Sequence, residues 1–214
     1  MAVVTISREY GSAGLEVARE AASLLGYHLV DKAAIGRILA GYGLVDFASA
    51  YEAEAGLWSA FDAKLRTVVD MLGRVAFAVA RHGHSVILGR GSYVVLEGLD
   101  SVLNVRLRAP FDRRVERIMA EEGILDRSVA EIAVREGDKV RSSFLSSVYG
   151  ARWDSVEPFD LVVDTSRIGV GRAAAWIAEA ARQLPDPAPG SAIGAPDPVL
   201  DEALKTELGC PGRG

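Results

Sequence analysis

Apolar positions along this chain fall into short runs that alternate with helical stripes, and that alternation predicts the architecture before any motif is sought. Val3, Val4 and Ile6 make a short apolar run suited to a strand covered on both faces, and Leu15, Ala18, Ala22 and Leu25 follow at the spacing of a helix face. His28, Leu29 and Val30 read as a second strand ending at Asp31, followed by a helix with Ile35, Ile38 and Leu39 on its apolar side. A longer stripe of Leu57, Phe61, Leu65, Val68, Leu72, Val75 and Val79 has no proline to interrupt it and predicts a helix packed on the sheet, with a dimer face as the alternative. The run SVILGRGSYVV ends in Gly89-Arg90-Gly91, SVLNVRLRAP reads as a strand ending at Pro110, and residues 111–122 form a helix carrying Val115, Ile118 and Met119. Ser128 and Glu131 have the spacing of a capping box for a helix over 128–148, DLVVDTS supplies a fifth strand, and 170–184 a closing helix. Strand and helix alternating in this way predict an α/β fold, a doubly wound parallel sheet flanked by helices, as one domain over residues 1–184.

From Pro185 onward the chain turns rich in Pro, Gly and Ala, with too little apolar surface to offset the entropy of ordering it. A disordered tail over 185–214 is the expectation, with a short helix around Val199–Leu208 as the alternative. The 214 residues are 50% hydrophobic and 25% charged, the composition of an ordinary globular domain with one substantial core. A net charge of −5 argues against a nucleic-acid polymer as partner and favours a small ligand held by local arginines. The single cysteine, Cys210, permits no internal disulfide, and no run approaches the roughly 18 apolar residues of a membrane span, so a cytoplasmic protein that touches no membrane is expected. His82 and His84 flank Gly83 at a helix end and read as a cap; Trp58, Trp153 and Trp176 read as packing anchors.

The turn between the first strand and helix is the first candidate site. Gly11 and Gly14 let the backbone turn tightly, and the amides of a helix's first turn attract an anion. Arg8, Gly11, Ser12, Ala13, Gly14, Leu15 and Glu16 are therefore candidates to hold phosphate. The phosphate-loop pattern G-x-x-x-x-G-K-[ST], laid on this turn, puts Arg8 at its first glycine, Ala13 at its second and Gly14 at its lysine.

HLVDKAAIGR resembles the segment of bacterial cytidylate kinases in which a strand ends in an aspartate and the next helix carries an arginine, and ILGRG resembles their Gly-Arg-Asp strand end. With SREYGSAG, VRLRAP, FDRRVERIM and DKVRSSFLSSVYGARWDSVEPFDLVVDTSRIG, the chain over 1–182 resembles the cytidylate kinase-like branch of the nucleoside monophosphate kinases. That resemblance implies an adenylate-kinase-like P-loop fold of five parallel strands with a helical lid, ATP with Mg2+ as donor, and a nucleoside monophosphate or another small phosphate or hydroxyl acceptor, in a monomer or homodimer. It assigns Asp31, Arg37 and Arg90 to the acceptor, and places Arg135, Lys139 and Arg141 on a lid whose cations close over the transferred phosphoryl group.

The departures from that pattern bear on chemistry. Neither the phosphate lysine nor the arginine that follows the glycines in the kinase-like branch is present in Gly11-Ser12-Ala13-Gly14-Leu15-Glu16. Arg8 is the candidate substitute cation. Glu16 stands where a hydroxyl helps to hold magnesium and is the candidate metal ligand, because that ion prefers oxygen. Gly91 replaces the aspartate of Gly-Arg-Asp. The expected activity is transfer of the ATP γ-phosphoryl group to CMP or dCMP; the alternatives are a noncatalytic nucleotide-binding protein on the same fold, or a kinase of a different small acceptor.

Overall fold

Five parallel strands form a single sheet in the order β2-β3-β1-β4-β5, where β1 is Val3–Arg8, β2 His28–Val30, β3 Ser85–Ile87, β4 Val102–Arg108 and β5 Leu161–Asp164. The computed structural model describes residues 2–43, 63–89, 91–186 and 194–209. Leu57, Trp58, Phe61, Arg90 and Cys210 lie outside the described residues.

Helix α1 (Gly14–Leu25) and helix α8 (Val170–Arg182) cover one face of the sheet. Val4 and Ile6 of β1 and Val105 and Leu107 of β4 meet Val17, Ala18, Ala173 and Ile177 there. Helices α2 (Lys32–Gly41) and α3 (Ala63–His82) cover the other face, where Val3, Val30 and Ile87 pack with Ile35, Ile38, Leu72, Val75 and Val79. Leu72, Val75 and Val79 of the expected stripe are thus core. Both faces being covered explains why the strands read as apolar runs rather than as an alternation. The short helices α4 (Ser92–Val95) and α7 (Thr165–Ile168) follow β3 and β5. Helix α5 (Phe111–Glu122) and the long α6 (Arg127–Tyr149) pair through Val115, Ile118, Ala130 and Val134.

Three expectations are corrected. The cap of α6 is Asp126, which accepts from both the backbone N–H and the hydroxyl of Ser128, while Glu131 pairs with Arg127. Trp176 is 43% exposed rather than a buried anchor, whereas Trp153 lies under the guanidinium of the buried Arg106, 3.9 Å from ring centroid to Cζ. Within the expected disordered tail lies a helix, α9 (Pro198–Leu208), which is the alternative expected around Val199–Leu208. Asp197 caps α9 by accepting from Leu200 N–H, Pro198 sits in its first turn, and Leu200, Leu204 and Leu208 enter the core beside α2 and α3. Proline suits that position because its missing donor has no partner there in any case. Among the described residues no helix is long and apolar enough to cross a membrane.

Candidate active site

The sheet order reverses at β1, whose neighbours β3 and β4 continue in opposite directions, and the turn leaving β1 opens at that switch point. Gly11 has φ 74°, and a side chain there would stand 2.9 Å from the Arg114 carbonyl oxygen and 3.0 Å from Ile118 Cγ1. Only glycine meets both demands. Ala13 is left-handed at φ 57°, an arrangement that costs about 1–2 kcal/mol for a residue with a Cβ. No side chain caps α1, and its first internal bond runs from Val17 N–H to the Ala13 carbonyl. The amides of Gly14, Leu15 and Glu16 therefore have no acceptor within the helix, the arrangement that receives an anion. Ser12 turns inward: its hydroxyl donates to the Glu9 carbonyl, and its own carbonyl accepts from Thr165 Oγ1.

The turn is held from behind by charge. Arg114 of α5 is buried and donates to the carbonyls of Ala109 and Tyr10, pairs with Asp138 of α6 at 2.6 Å, and stands 3.5 Å from Glu9. Asp138 accepts the Tyr10 N–H, and Arg117 donates to the Gly11 carbonyl at 2.7 Å. With two of its carbonyls engaged on this side, the loop is fixed. The Tyr10 ring lies against Gly137, where a Cβ would approach to 2.5 Å, and its hydroxyl donates to Glu122. Burial, then that bond and the charge of Glu122, push the Tyr10 hydroxyl up to about 12.

A cavity of about 700 Å³ opens in front of the loop. It gathers Arg8, Gly11, Ala13, Gly14, Leu15 and Glu16 from the donor candidates, Asp31 and Arg37 from the acceptor candidates, and Arg141 from the lid candidates. Arg8 lies across Gly14, where a Cβ would meet its Cγ at 2.5 Å. A side chain at position 14 and this placement of Arg8 exclude each other, which accounts for the glycine where the pattern has lysine.

Asp31 caps α2 through the Ala34 N–H at 2.9 Å while bordering the cavity. Arg37, 60% exposed, binds Glu207 of α9, which raises its pKa, first through the hydrogen bond and then through charge. Arg141 faces the Tyr10 ring at 4.9 Å and donates to the Gly137 carbonyl. Arg135 and Lys139 do not border the cavity: Arg135 lies over the Phe111 ring, and Lys139 sits beside Glu136 in solvent. Gly91, at φ 79°, is pressed on Tyr149, whose ring would be 2.2 Å from a Cβ there. The aspartate missing from the Gly-Arg-Gly stretch would collide with that ring.

Lys32, Glu121 and Glu122 also line the cavity and escaped the sequence reading. Among the described residues four cations, Arg8, Lys32, Arg37 and Arg141, face five carboxylates, Glu9, Glu16, Asp31, Glu121 and Glu122. Side chains alone thus supply no net positive charge, and an anion here depends on the loop amides or on a bound cation. The pKa of Glu121 is raised, first by burial and then by the charge of Glu16. Two oxygen-bearing carboxylates whose charges repel suit a magnesium ion chemically.

Residues 3–167 match the cytidylate kinase-like family. A cytidylate kinase of Ignicoccus hospitalis is 33% identical over 174 residues, spanning 79% of this chain and 92% of the relative. A cytidylate kinase of Pyrobaculum aerophilum is 29% identical over 174 residues, spanning 81% and 89%. Among solved structures, an uncharacterized protein from Eubacterium ventriosum matches with a TM-score of 0.68 at 18% identity, over 86% of this chain and 99% of that one. Shikimate kinase from Acinetobacter baumannii in complex with shikimate matches with a TM-score of 0.50 at 15% identity, over 86% and 96%. At such identities the two structures speak for the fold alone.

Proposed function

The chain belongs to the cytidylate kinase-like family, and from that premise we propose that it transfers the γ-phosphoryl group of ATP to a nucleoside monophosphate, with CMP or dCMP as the first candidates. One observation carries the proposal: a single cavity joins the uncapped start of α1 to Asp31 and Arg37 of α2 and to Arg141 of α6. Donor phosphates, acceptor and a cation between them have a place there at the end of the central strand.

In this reading the amides of Ala13 to Glu16 receive the donor phosphates, and Arg8 supplies the positive charge that a loop lysine would bring. Arg37 holds the acceptor phosphate, since a guanidinium fork matches its oxygens. Asp31 accepts from a sugar hydroxyl or a base amino group; Arg90, assigned to the acceptor by the family resemblance, lies outside the described residues. An acceptor oxygen attacks the γ-phosphorus; the bond from that phosphorus to the β,γ-bridging oxygen breaks, and its electron pair leaves with ADP. No side-chain base is needed, because the acceptor phosphate, with a second pKa of about 6, is already mostly dianionic near neutral pH. Arg141 stabilises the charge spread over the transferred oxygens. Glu16 and Glu121 would hold magnesium, which neutralises donor-phosphate charge when bound.

The missing lysine favours a second reading, a protein that binds nucleotide without turning it over. Steady-state ADP formation with ATP, magnesium and a panel of monophosphates separates the two. Turnover that rises with CMP or dCMP supports the kinase, whereas ATP binding with no acceptor-dependent ADP contradicts it.

A further inference from the structure

Helix α9 lies beyond residue 167, where the family match ends, yet it is docked on the helix that carries the acceptor candidates. Its seat is fixed twice over. Leu200, Leu204 and Leu208, one turn apart, are buried against α2 and α3. At the cap and on the two edges of that leucine stripe, Asp197 pairs with Arg74 and Asp201 with Arg81 at 2.8 Å, both on α3, and Glu207 pairs with Arg37 on α2. A helix held by three buried leucines and three ion pairs has one register against its neighbours, so Glu207 meets Arg37 by construction.

The geometry of that last pair is specific. One oxygen, Oε1 of Glu207, receives both the Arg37 Nε–H at 2.8 Å and the Arg37 Nη2 at 2.6 Å. The carboxylate therefore occupies the inner edge of the guanidinium and leaves the outer edge, Nη1 and Nη2, to a bidentate anion. Glu207 is the better-sheltered partner, 19% exposed against 60% for Arg37, so the carboxylate anchors the arginine rather than the reverse. Arg37 borders both the main cavity and the groove between α2 and α9.

We propose that α9 is a built-in positioning element, in which Glu207 holds Arg37 with its outer guanidinium edge presented to the acceptor phosphate. Arginine is rich in rotamers, and fixing it before the ligand arrives removes part of the ordering cost of binding. Glu207 is thus a positioning residue for the acceptor, acting through Arg37. This rests on the monophosphate kinase reading of the same cavity.

The test uses the full chain and compares wild type with R37A, E207A, E207Q, E207D and the control E202A, whose glutamate on the same helix pairs with Lys205 and does not border the main cavity. Equilibrium binding of CMP, the steady-state constants for CMP and ATP, and the melting temperature are measured for each. Removing the carboxylate should raise the Kd and KM for CMP about three- to tenfold, with kcat, the ATP KM and the E202A constants unchanged and E207D restoring part of the loss. A CMP affinity in E207A equal to wild type, while R37A weakens it, overturns the positioning role and leaves the kinase reading intact. Tighter CMP binding in E207A overturns it too, because Glu207 would then be a competitor for Arg37. If E207A shifts the ATP KM and kcat as much as the CMP KM, along with a fall in melting temperature, Glu207 serves stability only. A wild-type protein that neither binds nor converts any monophosphate overturns both this proposal and the reading beneath it.

Discussion

On the loop side of the cavity the backbone is fixed from behind by buried charge, Arg114 with Asp138 and Glu9, whereas on the α2 side Asp31 and Arg37 reach the cavity from a helix joined to α9 by the partly exposed Arg37–Glu207 ion pair. The loop needs no side chain of its own to present anion-binding amides, because Arg114 and Arg117 of α5 take its carbonyls and Asp138 of α6 accepts the Tyr10 N–H. The α2 side depends on side chains, of which Arg37 is directed by Glu207. A backbone site tolerates changes of residue so long as the turn survives. A side-chain site requires that each partner stay.

That contrast has measurable consequences. If the loop amides carry geometry and Arg8 carries charge, Arg8→Ala should lower kcat by about 100- to 1,000-fold, as loss of a preorganised donor does, with the fold intact by circular dichroism. An unchanged kcat would mean that the loop works through backbone alone. Arg114→Ala strips the loop of its brace and leaves Asp138 and Glu9 without their cation, and should cost about 3 kcal/mol in urea unfolding. Ala13→Gly tests the turn from the other direction: removing a Cβ from the left-handed region should stabilise the protein by about 1 kcal/mol in the same measurement.

The smallest effect is one of pH. The Tyr10 hydroxyl has its folded pKa raised above the ordinary 10, to about 12, by burial and by Glu122. Unfolded protein therefore loses this proton first as pH rises. The stabilisation is full below pH 10 and is lost as pH climbs from 10 towards 12. Tyr10→Phe should flatten stability across that window, and an unchanged alkaline slope would assign it to other groups.

The strands and helices around the loop were legible because each is a clean periodic run: the helix expected over 111–122 is α5 residue for residue. Helix α9 was legible only as the alternative to a disordered tail, because averaging over that stretch obscured it. Pro, Gly and Ala on its N-terminal side dominate the composition, while Asp197-Pro198 and leucines at 200, 204 and 208 are an ordinary capped helix with one apolar side. The lid cations illustrate a different limit. Lys139 and Arg141 are two positions apart, roughly 200° around a helix, so they cannot share one cavity, and Arg135 falls on the side of Lys139. Counting basic residues grouped what helix phase separates. Nothing in the sequence marked Arg114, Asp138 and Tyr10 as a brace, since a brace is visible only once α5 and α6 are folded against the loop. The same holds for Gly91, whose reason is the ring of Tyr149 more than fifty residues away.

The central claim is that this cavity directs a phosphoryl group to a monophosphate although the loop lysine is gone. Following the label from γ-32P-ATP in the presence of magnesium and CMP measures that transfer itself. The account predicts labelled CDP formed in equal amount with ADP. Label appearing only as inorganic phosphate, or remaining in ATP with CMP and every other monophosphate tried, would contradict it.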